Sequence, residues 1–175
     1  MLSATIPILG LSAYSGSGKT TLLRQLIPWL RQQGLSVGVI KLSHHRIDVD
    51  KPGKDSYELR KAGASEMLLT SRHGWALMVD TEDAGDPDLQ AMLDKLDQSR
   101  LNLVLVEGFR HQAFPKIELH RPVLGKPLIF PDDPSVIAVA SDAEIAVATE
   151  LPRLDLNDIP SIGRFILGWM ETSTA

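Results

Sequence analysis

Between an apolar run, Ile6 to Leu11, and an amphipathic one, Thr21 to Gln33, the chain carries Ala13-Tyr14-Ser15-Gly16-Ser17-Gly18-Lys19-Thr20. Glycines at 16 and 18 let the backbone turn so that successive N–H groups converge on an anion, and a helix starting there adds the positive end of its dipole. In such a loop Lys19 reaches the β- and γ-phosphates of a nucleoside triphosphate, and the Thr20 hydroxyl ligates Mg²⁺. The usual pattern is Gly-x-x-x-x-Gly-Lys-[Ser/Thr]; its first position is Ala13 here, and the Gly-x-Gly-Lys-Thr core remains. Ile6, Ile8, Leu9 and Leu11 read as a buried parallel strand. Leu22, Leu23, Leu26, Ile27 and Leu30 recur at helical spacing behind the loop. Gly34 supplies a stop, and Pro28 predicts a kink or an early end. A glycine-rich turn with no ligand is the bland reading, and it leaves Lys19 without a task. Ser15, Gly16, Ser17, Gly18, Lys19, Thr20 and Thr21 are therefore the candidate phosphate-binding residues.

A chain of 175 residues is long enough to bury a real core, and residues 1–175 read as a single nucleotide-binding domain. With 18 Lys and Arg against 22 Asp and Glu, no surplus of cations is left to neutralise a nucleic-acid backbone. Cysteine is absent, so neither disulfides nor thiolate metal sites exist, in agreement with a reducing compartment. No basic segment followed by a long apolar core opens the chain, and no apolar run approaches membrane-spanning length. The expectation is a cytoplasmic protein with neither nucleic acid nor membrane as partner.

Past the first helix, Leu35 to Leu42 reads as a second strand, and helix signals return at Asp55 or Ser56, which can cap, running to Gly63. Met67 to Ser71 and Trp75 to Asp80, joined at His73-Gly74, read as a hairpin. Asp86 or Asp88 starts a helix through Leu89, Met92, Leu93 and Leu96, and Leu101 to Val106 is a fully apolar strand. Lys116 to His120 alternates like a strand, Gly125 to Pro134 is a proline-rich surface loop, and Val136 to Ala140 is a short buried strand ending at Ser141-Asp142. A last helix begins at Asn157 or Asp158, with Ile162, Phe165, Ile166, Trp169 and Met170 on one face. Strands alternating with helices, plus one hairpin, give a three-layer α/β fold of the P-loop NTPase type with a mostly parallel sheet.

A phosphate loop needs a carboxylate at the end of a neighbouring strand to hold Mg²⁺ or its waters. Leu103-Val104-Leu105-Val106-Glu107 offers Glu107; a strand-end Glu is otherwise a solvated edge charge, and the upstream loop is what favours the metal reading. The segment Lys41 to Ser56 packs His44, His45, Asp48, Asp50, Lys54 and Asp55 between a strand and a helix. Asp48 and Asp50 could accept from Mg²⁺-bound water, Lys54 could neutralise phosphate charge, and Asp55 could orient an attacking water. For each of these residues a solvated polar loop, with Asp55 or Ser56 capping the next helix, is an equally open reading. Adjacent histidines without cysteine do not argue for structural zinc. Asp142, at a strand end, could accept from a guanine edge, and a turn residue is its bland alternative. No Asn-Lys-x-Asp or Thr-Lys-x-Asp base-reading motif occurs in the chain.

Several of these motifs together resemble the molybdopterin-guanine dinucleotide biosynthesis adaptor family, MobB. They are Ser15 to Leu23; His44-His45 with Asp48-x-Asp50-x-Pro52-Gly53-Lys54-Asp55-Ser56; Arg60 to Ala64; Val106-Glu107-Gly108-Phe109; and Val136 to Asp142. The resemblance implies a GTP-binding protein with feeble GTPase activity, acting beside the guanylyltransferase that joins GMP to molybdopterin. It implies a homodimer whose hairpin strands extend a sheet between subunits. It also implies a site made by Gly16 to Thr21 with Glu107 and Asp48 to Asp55. In that reading the cofactors are GTP and Mg²⁺: Lys19, Asp55 and Glu107 are the catalytic candidates, Thr20, Asp48 and Glu107 the metal candidates, and Asp50, Lys54 and Asp142 further nucleotide contacts. The alternative is a P-loop kinase transferring the γ-phosphoryl group to a small metabolite, with Asp55 as base and Arg60, Arg110 or Arg121 stabilising transferred charge. No segment concentrates arginine as a kinase lid does, which favours the adaptor.

Overall fold

The computed structural model describes residues 2–43, 47, 49–81 and 85–173. In chain order the elements are β1 (Ile8–Ser12), α1 (Lys19–Gln32), β2 (Val37–Lys41), α2 (Asp55–Lys61), β3 (Glu66–Ser71), β4 (Gly74–Val79), α3 (Leu89–Leu93), β5 (Leu103–Glu107), β6 (Lys116–His120), β7 (Val136–Ser141), β8 (Arg153–Asp155) and α4 (Ile159–Ser173). Two compact units result, Met1–Leu42 with Asp88–Ala175 and Ser43–Pro87.

In the larger unit six strands lie in the order β2-β5-β1-β6-β7-β8, every neighbouring pair parallel. Side chains alternate across a strand, so β1 sends Leu9 and Leu11 to one face and Ile8 to the other. Leu9, Leu11, Leu103, Leu105, Ile117 and Leu119 meet Leu22, Leu26 and Leu30 of α1 and Ile162 and Ile166 of α4 in one core layer. Ile8, Ile40, Val104 and Val106 meet Leu89 and Leu93 of α3 together with Phe109 and Phe114 in the second. Burial on both faces is why these strands read as unbroken apolar runs. The three-layer α/β arrangement expected from the sequence is present, and so is the hairpin.

Helix α1 passes through Pro28 to Gln32 rather than ending early. Pro28 is exposed, so the carbonyl left without its partner one turn back faces water, where the missing bond costs least. The helix ends in a Schellman turn: Leu35 N–H donates to the Leu30 carbonyl and Gly34 N–H to that of Arg31, with Gly34 at φ +88°. α4 begins as expected at Asp158, whose carboxylate accepts from Ser161 N–H at 2.9 Å. α1 and α4 touch through Trp29 and Gly163, where a Cβ on the glycine would lie 2.2 Å from the indole.

Three expectations need correction, and one strand was not foreseen. Asp88 caps α3, but the helix stops at Leu93 and the chain reaches Leu96 in tighter i→i+3 turns. α2 is entered at Lys54, with Asp55 as its first helical residue, so neither Asp55 nor Ser56 is the cap. Gly125 to Pro134 is not wholly a surface loop: Leu128 and Phe130 pack on Val136, Val139 and Ile145. Strand β8 has no forerunner in the sequence analysis, because three residues with only Leu154 half-buried carry no readable period.

The smaller unit consists of α2 and the antiparallel ribbon β3–β4, paired from Glu66↔Val79 to Ser71↔Gly74. Arg60 of α2 holds it together. Its guanidinium is buried, donating to Asp50 at 2.9 Å and to the Met78 sulfur at 3.4 Å, with Asp80 at 3.7 Å.

Candidate nucleotide-binding site

β1 ends where the candidate phosphate loop begins, and α1 starts at Lys19. Gly16 and Gly18 have φ of +84° and +92°, a region open to glycine without strain. Ser17 is folded under the loop: its hydroxyl donates to the Tyr14 carbonyl at 2.9 Å. The first turn of α1 has no capping side chain and no acidic residue. Its N–H groups have no intrahelical acceptor, and the positive end of the dipole is left unneutralised. The exposed Ser15, Gly16, Thr20 and Thr21 complete this rim.

Lys19 turns back over the loop, its ammonium donating to the carbonyls of Ala13 at 3.0 Å and Tyr14 at 3.2 Å. Partial burial lowers its pKa, and the nearby Glu107 carboxylate works against that shift. Glu107 ends β5 beside Leu11 of β1 and Lys41 of β2, and its carboxylate is held by Lys41 Nζ at 3.1 Å. The backbone immediately after it is unusual. Gly108 is at φ +102° and Phe109, a bulky residue, at φ +54°; burial of the Phe109 ring in the second core layer holds it there. That turn fixes Glu107 at the C-terminal edge of the sheet, next to the loop.

At the loop's other side Arg121, just after β6, donates from Nε to the Ser17 carbonyl at 3.0 Å and from Nη1 to Asp142. Its guanidinium passes within 3.4 Å of where a Gly18 Cβ would stand. Asp142 therefore reaches the loop through Arg121. Lys41 was missed as a site residue, and Arg121 was named only as a charge stabiliser in the kinase alternative: each is a lone cation at a strand end, and only strand order brings it to the loop.

Lys54 and Asp55 lie at the start of α2 in the smaller unit, and Asp50 makes the buried pair with Arg60 there. Asp48 and the pair His44-His45 lie outside the described residues. Among the described residues no three His, Cys, Asp or Glu side chains converge as a metal cage. Mg²⁺ keeps several waters and needs only one or two protein oxygens beside substrate phosphates, so the donor set Thr20 and Glu107 fits that ion.

The family model for molybdopterin guanine dinucleotide synthesis protein B matches residues 8–142, a span that contains the loop, Glu107, Arg121 and Asp142. The chain belongs to the MobB family. The molybdopterin-guanine dinucleotide biosynthesis adapter protein of Escherichia coli K12 is 48% identical over 167 residues, covering 95% of this chain and 94% of the relative. The adapter protein of the same name from Haemophilus influenzae is 45% identical, covering 95% and 90%. The crystal structure of Bacillus subtilis MobB superposes with a TM-score of 0.73 at 21% identity, over 94% of this chain and 98% of that one, which establishes the shared fold. No helix among the described residues is long and apolar enough to cross a membrane.

Proposed function

We propose that this protein is the GTP-binding adapter of molybdopterin-guanine dinucleotide biosynthesis, hydrolysing GTP slowly and serving the guanylyltransferase of that pathway in the cytoplasm. The observation that carries the reading is the loop Ser15–Thr21 at an uncapped helix start, in a chain whose close relatives are named as adapters of that pathway. The polyphosphate takes the amides of the loop, and Lys19 exchanges two carbonyls for the β- and γ-phosphates. Thr20 and Glu107 would hold Mg²⁺, which would offset the negative charge of the phosphates. Lys41 holds the Glu107 carboxylate in place at 3.1 Å; Arg121 holds the loop from the side of Ser17. No glutamine directly follows Glu107 to position a water, and Gln112 is several residues on, in keeping with slow turnover.

The ribbon supports a homodimer. Its outer face carries Leu68, Trp75, Leu77 and Val79, between 46% and 70% exposed, an apolar patch of the kind that marks an interaction surface.

Calorimetric titration of GTP, ATP and GDP with and without Mg²⁺, followed by hydrolysis measured alone and with the guanylyltransferase, tests the reading. Tighter Mg²⁺-dependent binding of GTP than ATP, and slow hydrolysis, are expected. Failure to bind any triphosphate overturns the reading, and turnover of a small acceptor without the guanylyltransferase replaces it with the kinase alternative.

A further inference from the structure

Arg121 and Asp142 are neighbours by register. β6 and β7 run parallel with His120 opposite Ser141, so the residue that follows each strand emerges at the same edge of the sheet, although 21 positions separate the two in the chain. Pro122 restricts the residue before it to extended backbone, and Arg121 sits at φ −125° and ψ +103°. The turn Pro122–Leu124 then closes on it, Leu124 N–H donating to the Arg121 carbonyl at 3.0 Å. From this fixed stem the side chain reaches Asp142 through Nη1 and the candidate phosphate loop through Nε. The two side chains are 29% and 22% exposed, so solvent screens the pair less than an open surface pair.

What Nε grips is a single peptide group. It donates to the Ser17 carbonyl at 3.0 Å, and among the described residues that carbonyl has no other hydrogen-bond donor. The neighbouring groups are held by other means: the Ser17 hydroxyl and N–H both meet the Tyr14 carbonyl, and the Gly18 carbonyl accepts from Leu22 N–H at 2.9 Å. The Ser17–Gly18 peptide between them is free to rotate, because Gly18, at φ +92°, has no Cβ to resist the turn. In a trans peptide the C=O and the N–H point opposite ways. By drawing the carbonyl toward itself, Arg121 turns the Gly18 N–H away, and among the described residues no acceptor meets that N–H. A charged donor on the carbonyl also polarises the peptide and makes its N–H the stronger donor.

We propose that Arg121 is a positioning residue that aims the Gly18 N–H at an oligophosphate, with Asp142 as its anchor. Asp142 then bears on the phosphates of any nucleotide and does not read the base, because its Oδ2 is committed to Arg121. This role rests on the reading of Ser15–Thr21 as a nucleotide site; the chain of contacts from Asp142 through Arg121 to the Ser17–Gly18 peptide does not.

The test is calorimetric titration of GTP, ATP and inorganic tripolyphosphate, each with Mg²⁺, into the full chain and its Arg121→Met, Arg121→Lys and Asp142→Ala variants, with the Gly18 amide followed by ¹⁵N–¹H NMR. Arg121→Met and Asp142→Ala should each weaken all three ligands by one common factor, about tenfold. The double variant Arg121→Met with Asp142→Ala should lose no more than the larger single loss, since the two residues act in series. Arg121→Lys keeps the charge without the planar fork and should show most of the loss. In the ligand-free chain Arg121→Met should shift or broaden the Gly18 resonance and leave those of β1 in place. Wild-type affinity in Arg121→Met or Arg121→Lys overturns the proposal, as do losses that multiply in the double variant. A loss confined to GTP in Asp142→Ala overturns it too and returns Asp142 to base reading. A wild-type chain that binds none of the three ligands overturns the nucleotide reading instead.

Discussion

Single residues carry the electrostatics of this fold, and they do so by opposite routes. Lys19 has no carboxylate in direct contact: its ammonium is engaged by two loop carbonyls, so removing it should cost ligand affinity rather than stability. Lys19→Ala is expected to weaken GTP about a hundredfold, or ~2.7 kcal/mol, with an unchanged thermal midpoint; calorimetry and a melt on the same sample decide it. Glu118 is the reverse case. It is fully buried on β6 and accepts from the N–H groups of Ile129 and Phe130 at 2.8 Å each, yet burial dominates and raises its pKa above the usual 4.5. The folded state therefore binds more protons than the unfolded state just above pH 4.5, and the contribution is lost as pH rises through the raised value. Glu118→Gln leaves one of the two N–H groups facing an amide NH₂, at about 1–3 kcal/mol. In urea melts across pH 4 to 7 the advantage of wild type over this variant should be largest at the acid end. Asp133 has the other sign. Burial pushes it up, but the bonds from Lys116 and Ser135 together outweigh burial and lower its pKa. Its contribution is held above pH 3.8 and drains as pH falls through the depressed value.

Elements were legible where a period of two or 3.6 survives over enough residues. β1 and β5 betrayed themselves as apolar runs bounded by turn residues, and α4 by Ile162, Phe165, Ile166, Trp169 and Met170 at helical spacing. β8 was illegible because three residues show no period, and α3 was overextended because Leu96 continues the apolar spacing after the helical bonds have ended. The two long helices depend on a contact that no local pattern shows. Gly163 gives α4 no packing of its own, but its missing side chain is where the Trp29 ring of α1 lies. Gly163→Ala is expected to destabilise by roughly 1–3 kcal/mol through overpacking, despite alanine's better helix propensity. The double variant with Trp29→Leu should recover much of that loss, a coupling that a double-mutant cycle in denaturant measures directly.

For the molecule as a whole, the proposed dimer rests on the ribbon. β3 and β4 place Met67 and Met78 on one face and Leu68, Trp75, Leu77 and Val79 on the other; Met78 is buried and the second set is exposed. Leu68→Glu combined with Leu77→Lys should convert a dimer into a folded monomer in sedimentation velocity, with circular dichroism unchanged. A wild-type chain that sediments as a monomer at every concentration would remove the proposed assembly.

The sequence by itself determined the glycine turn between β1 and α1, the parallel sheet buried on both faces and the strand-end acid. Each depends on residues close in the chain: glycines that permit a turn, apolar runs that must leave water, a carboxylate directly after its strand. Tertiary structure alone decided which charges meet. Arg121 reaches Ser17 and Asp142, Lys41 reaches Glu107, and Asp50 is consumed by Arg60, because ion pairing depends on distance in space, and strand order brings together side chains that sequence separation keeps apart.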